Sequence, residues 1–457
     1  MKHFFIYGFL LFLLITAFFC GCSDFLDIDA PKDQIDRTKV FNDDQLATAA
    51  LTNTYTLMRN NGFLSGNTSG VGYLLGCYTD ELEVTDPQTI YYKNFYLCTV
   101  VSNNTALTEL WNHSFKQIYN VNTILEGIEL STGLTESVKN QLYGEALAIR
   151  GILHFYLTQT FGAVPYVTTT DYNLNKQIGK LANDQVMQKA IDDLVEAEEL
   201  LLDQYPTSER VRINKSVVQA FLARMYLYTE NWAFAIEYTQ KVINKPAFEL
   251  EDLDNVFLKE SKSAIWQFKP EIEGWNTLEA DAYVFEALPA PYARLSQYLL
   301  NDFEPNDLRK VKWVNTVGNL QENSHAYKYK QRGSSSPSKE FSVIIRIEEM
   351  YLIAAEATAA NADWQLCNDM LNSIRTRAGL SEVSVFDYST ALEAVLQERK
   401  IELFCEFGHR FYDMKRTNRL GVLATVKPNW QPYFALLPIP ENELLLNTNL
   451  RPQNIGY

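Results

Sequence analysis

The stretch VVQAFLARMYLYTENWAFAIEYTQKVIN, residues Val217 to Asn244, holds two helical segments joined by one short link. Val217 to Tyr228 is apolar at helical spacing, and Thr229-Glu230-Asn231 interrupts it. From Trp232 onward Ala235, Ile236, Thr239 and Ile243 fall on one face of a second helix. Ala220 and Ala223 are small, so two such helices can approach closely, while Tyr226 and Trp232 fill the space beside the turn.

This pair resembles a tetratricopeptide unit. A second copy follows, 132 residues on: Trp364 stands eight residues after Glu356, as Trp232 stands eight after Arg224, and Cys367 takes the place of Ala235. Two copies so far apart do not make a uniform array. They predict a mostly α fold, a tetratricopeptide-like helical repeat scaffold with long irregular insertions and a few short strands. Further out, Val138, Leu142, Ile149, Leu153 and Tyr156 recur at steps of three, four or seven. That helix is expected to stop at Phe161-Gly162, with Pro165 beyond. Ser263 to Phe268 reads as a strand.

The whole chain of 457 residues carries 56 acids against 40 bases, a net charge of −16, which makes a nucleic-acid backbone an unfavourable partner. Only 20 Gly and 15 Pro are present, too few for disordered or collagen-like material. Met1 to Gly21 reads as a targeting segment: Lys2 gives the positive start, and a long apolar stretch ends at Cys20-Gly21-Cys22. The Gly21-Cys22 junction resembles the lipobox of bacterial lipoproteins and makes Cys22 the expected lipid-bearing residue. The expected division is 1–21 as signal peptide, 22–245 as an N-terminal helical region with a ligand loop, and 246–457 as a C-terminal region compact with it. Cys77, Cys98, Cys367 and Cys405 form no C-x-x-C pair and are expected as buried free thiols. No zinc-site spacing exists, and no metal or cofactor is expected.

The chain contains 26 Tyr, 26 Phe and 7 Trp. Trp111, Trp232 and Trp364 sit at helical positions and Trp266 in the strand-like run, so these four are expected in the core. Two insertions, Asn60 to Asn104 and Lys245 to Ser342, carry the others. Long loops of that kind commonly perform recognition. Tyr73, Tyr91, Tyr92, Trp275, Tyr283, Tyr292 and Trp313 form the candidate ligand platform, since a sugar's C–H face can lie on a ring. Asp80, Asn94, Asn276 and Asp281 are candidates to bond hydroxyls. Any one ring serves loop packing equally well; the set carries the hypothesis.

Beyond these patterns, six segments occur in order: Glu145-Ala146-Leu147-Ala148-Ile149-Arg150-Gly151 leading to Phe161-Gly162-Ala163-Val164-Pro165; Ala220 to Trp232; Arg346 with Glu349 and Tyr351 to Ala357; Leu371 to Gly379; Glu398 to Arg416; and Leu437-Pro438-Ile439-Pro440 with the closing Gln453 to Tyr457. Together they resemble the SusD/RagB family of Bacteroidetes outer-membrane lipoproteins over essentially the whole chain. The resemblance implies a non-catalytic surface protein that captures oligosaccharides or polysaccharides, capping a TonB-dependent outer-membrane transporter (SusC-like) and lipid-anchored at the cell exterior. Peptide cargo, as in the RagB branch, and a surface glycosidase are the alternatives. For the second, Glu402 and Glu406 lie one helical turn apart and point the same way, whereas glycoside cleavage needs carboxyls facing each other across a bond. Salt-bridged packing is the expected role of Glu398, Arg399, Glu402, Glu406, Arg410, Asp413 and Arg416, and His154 and His409 are expected as packed residues.

Overall fold

The computed structural model describes residues 37–85 and 90–457, with side chains from 39 to 85 and from 92 onward. The targeting segment, the junction at Cys22 and the side chain of Tyr91 lie outside the described residues.

Eleven principal helices carry the fold: α1 (Asp44–Asn60), α2 (Val71–Tyr78), α3 (Thr105–Glu129), α4 (Glu136–Phe161), α5 (Asn183–Leu200), α6 (Lys215–Tyr228), α7 (Trp232–Ile243), α8 (Ile347–Ala360), α9 (Trp364–Arg377), α10 (Tyr388–Glu402) and α11 (His409–Arg416). Among the described residues, six short strands pair in twos: β1 (Leu82–Val84), β2 (Ala264–Phe268), β3 (Ala293–Leu295), β4 (Val314–Thr316), β5 (Ser324–Ala326) and β6 (Ser342–Arg346). All three pairs, β1 with β3, β2 with β6 and β4 with β5, are antiparallel. The mostly helical architecture and the Ser263–Phe268 strand match expectation.

From α3 to α10 each helix packs on the next in chain order, so the helices form one continuous stack. Local chemistry sets their ends. The Asn214 side chain accepts the Val217 amide hydrogen at 3.1 Å, capping α6, and Asp363 does the same for Leu366 ahead of α9. α4 stops where predicted, with Gly162 at φ +77°, a left-handed position that favours glycine. The two tetratricopeptide-like units are α6/α7 and α8/α9. Although residues 244–346 separate them in sequence, α7 packs directly on α8. Residues 244–346 therefore leave the stack and re-enter it at adjacent helices. The re-entry is β6, which runs straight into α8 at Arg346-Ile347.

Several expectations change in three dimensions. The Asn60–Asn104 stretch is no open loop: all eight residues of α2 are buried, because the helix is apolar and packs against α11. Trp111 and Trp266 are core residues, whereas Trp232 and Trp364 are only half-buried. The four later cysteines are free and buried. Glu402 ends α10, so Glu406 lies in the turn beyond it and not on the same helix face.

Candidate functional site

The alternating charges of the C-terminal half are absorbed by buried ion pairs, the largest group of them an ionic network around Glu402. Arg346 Nη1 donates to Glu402 Oε1 at 2.6 Å, and its Nε and Nη2 each donate to Glu406 at 3.0 Å. Arg377 Nη2 reaches the same Glu402 oxygen at 2.6 Å, and Arg309 Nη1 its other oxygen at 3.0 Å. Burial alone would raise the Glu402 carboxyl, but Arg377, Arg346 and Arg309 hold it well below the usual carboxylate range. Arg224 clamps Glu349 through two bonds of 2.7 and 2.6 Å between α6 and α8. Arg399 pairs with Asp413 at 2.7 Å. Every acid in this set is committed to a cation, which suits fastening helices and leaves none of these carboxyls free to donate or accept a proton in catalysis. His154 stacks on Tyr166 at 3.9 Å, its Nδ1 bonded to the Arg150 carbonyl and its Nε2 to the Val167 amide. Burial pushes it down to about 3, so it stays neutral.

The ligand-competent geometry lies elsewhere. The end of α1, the 61–70 loop and the 268–281 segment enclose a cavity of about 220 Å³. Trp275 stands at its wall with 46% of its surface exposed. Behind it the 333–340 loop is tied in by Asn276: Nδ2 donates to the Gly333 carbonyl at 3.0 Å and to Ser335 Oγ at 2.9 Å, while Oδ1 accepts the Lys339 and Glu340 amides. The indole thus sits on a braced turn. Arg59 lines the same cavity, and each of its three nitrogens donates: Nε to Asn60 Oδ1, Nη1 to the Lys269 carbonyl and Nη2 to Glu271 at 3.0 Å.

Glu279, on the short helix Leu278–Tyr283, lines the cavity with only 6% exposure. Ser342 Oγ donates to its Oε1, and Oε2 has no hydrogen-bond partner. Burial lifts the carboxyl to about 7, against the lowering effect of the Ser342 bond. Gly66 packs directly on this carboxyl: a Cβ there would stand 2.1 Å from Glu279 Oε2 and displace it.

The expected ring platform separates into parts. Tyr292, 40% exposed, contacts Tyr92 with centroids 6.0 Å apart; Tyr92 contacts Tyr73, and Tyr73 contacts Tyr283, both at 5.4 Å. These four form a ladder from the surface into the core, in which only Tyr292 offers a face. Tyr73, Tyr92 and Tyr283 are buried because α2, the 90–96 helix and the 278–283 helix converge there. Trp313 is wholly buried, with Nε1 bonded to the Leu253 carbonyl at 2.9 Å; it is a core residue, and Arg309 one helical turn before it belongs to the ionic network.

Two of the polar candidates are already taken. Asp80 is held by Lys400 and Arg410 at 2.7 and 2.9 Å, and Asn276 braces the 333–340 loop. Asp281 lines the cavity, and Asn94 is half-buried. Sequence reasoning missed Glu279, Arg59 and Gly66. An acid in the first turn of a helix looks like an ordinary response to the helix dipole, and nothing local marks it as buried.

Comparison with known proteins agrees with this architecture. Residues 24–227 match a family model described as starch-binding associating with outer membrane, and residues 296–423 match the SusD family model. The chain is 23% identical to SusD-like protein P25 of Formosa agariphila, over 98% of each chain. A SusD superfamily protein from Bacteroides vulgatus superposes with a TM-score of 0.79 at 21% identity, covering 91% of this chain and 99% of that one. Surface glycan-binding protein A from Bacteroides thetaiotaomicron, in complex with laminarihexaose, gives 0.75 at 18% identity, covering 90% and 99%.

Proposed function

Because this chain belongs to the SusD/RagB family, we propose that it is a non-catalytic glycan-binding lipoprotein of the outer-membrane surface, which passes captured oligosaccharides to a partner TonB-dependent transporter. The observation that carries the reading is Trp275, a half-exposed indole on a braced turn beside a mainly apolar cavity into which several polar side chains are set. A ring held in place loses little entropy when a sugar lies on it, and the groups around it bond hydroxyls. The cavity is smaller than the ~300–1,000 Å³ of a drug-sized ligand site, so it has room for on the order of one sugar ring. Longer glycans gain by engaging further units outside it, with Tyr292 as a second exposed ring. The complex of a similar structure with laminarihexaose supports a carbohydrate ligand.

Affinity electrophoresis against a polysaccharide panel, followed by calorimetry, tests this. Trp275→Ala is expected to weaken binding at least about tenfold, ~1.4 kcal/mol, with unchanged helicity. Retention by peptides and by no glycan overturns the sugar reading. Wild-type affinity in Trp275→Ala overturns the placement of the site.

A further inference from the structure

We propose that the Trp275 cavity selects uncharged, hydroxyl-rich sugars and rejects ligands bearing carboxylate or sulfate, with Glu279 as the residue that sets this preference. The inference rests on the glycan-binding reading above and deepens it to a substrate class.

Three carboxyls stand at this wall, Glu271, Glu279 and Asp281, against one lining cation, Arg59. Arg59 is already committed to Glu271, Asn60 and the Lys269 carbonyl, so it has little to offer an anion. A further cation nearby, Arg332, pairs loosely with Asp281 at 3.8 Å. Glu279 differs from its neighbours: it is more than nine-tenths buried and its Oε2 is unpartnered. The groups around it are the Ser342 hydroxyl, the Tyr329 ring and the acids Glu340 and Glu406, while Lys328 is taken by Glu406. A buried carboxyl oxygen without a partner, as Oε2 is, is unfavourable unless something satisfies it. A sugar hydroxyl does so in either protonation state, because it both donates and accepts. A ligand carboxylate or sulfate brings only acceptors and meets two further acids, Glu271 and Asp281, at the same wall. The overall charge of −16 acts in the same direction at long range.

The test uses the purified protein in affinity gels of laminarin, amylopectin and galactomannan, and of polygalacturonate, alginate and a sulfated galactan, with EDTA to remove bridging cations. A polymer that is retained is then compared by calorimetry with its own C6-oxidised, carboxylated form. Retention of neutral polymers, at least about tenfold loss on oxidation, and a narrower gap in Glu279→Gln are expected. The partly exposed pair Glu271→Gln/Asp281→Asn should narrow it too, which keeps the test open if Glu279→Gln folds poorly. Equal or tighter binding of the oxidised polymer overturns the proposal while leaving glycan binding intact. An unchanged gap in both variants also overturns it. Retention of no polymer overturns the glycan reading and this inference with it.

Discussion

Glu279 and Glu402 are both buried carboxyls, yet their surroundings move them in opposite directions. Glu279 has no cation against it and rises to about 7 from an ordinary 4.5. Below pH 4.5 both folded and unfolded forms are protonated and nothing is lost. As pH rises to 7 the unfolded chain ionises first, and stability falls by on the order of 3 kcal/mol. Glu279→Gln is therefore expected to melt above wild type at about pH 8 and to show no gain at about pH 4.5, as thermal unfolding followed by circular dichroism will report. Glu349 and Asp413 show the reverse sign: burial would raise them, but Arg224 and Arg399 respectively bring each to about 2. Their contribution is present above about pH 4.5 and lost as pH falls towards 2. Glu402→Ala leaves three guanidiniums without their shared partner, and should cost about 3–5 kcal/mol, measured by chemical denaturation. Ligand binding by the folded fraction should survive.

Among the elements, the helix pair α6/α7 was readable because its period, link and small residues agree. The contact of α7 with α8 was not, since it joins helices that residues 244–346 separate along the chain. Polarity disguised Trp313 as a loop ring. Its neighbour Arg309 looks like a solvated residue but is buried among Asp307, Glu398 and Glu402. The same effect hid the ladder of Tyr73, Tyr92 and Tyr283, whose burial depends on three segments meeting. Trp275, by contrast, was legible as an exposed ring among polar residues. Its support is the 333–340 loop, so Asn276→Ala should raise amide hydrogen exchange in that loop and weaken glycan binding severalfold, with helix content unchanged.

For the whole molecule, the anchor is the reading that lies outside the described residues. If Cys22 carries acyl chains, Cys22→Ser should abolish labelling by a radioactive fatty acid and move the protein to the aqueous phase of a detergent partition. Retained labelling would refute the lipobox reading. The stack itself has one further property. The chain departs after Ile243 and returns at Ile347, between helices that already touch. The frame is thus closed across the excursion, although Trp266 and Trp313 from it fill part of the core. Exchanging the exposed part of the excursion should alter cargo preference, as one changes a tool in a chuck, provided the replacement keeps Arg309, Lys328 and Arg346, the cations that grip the end of α10.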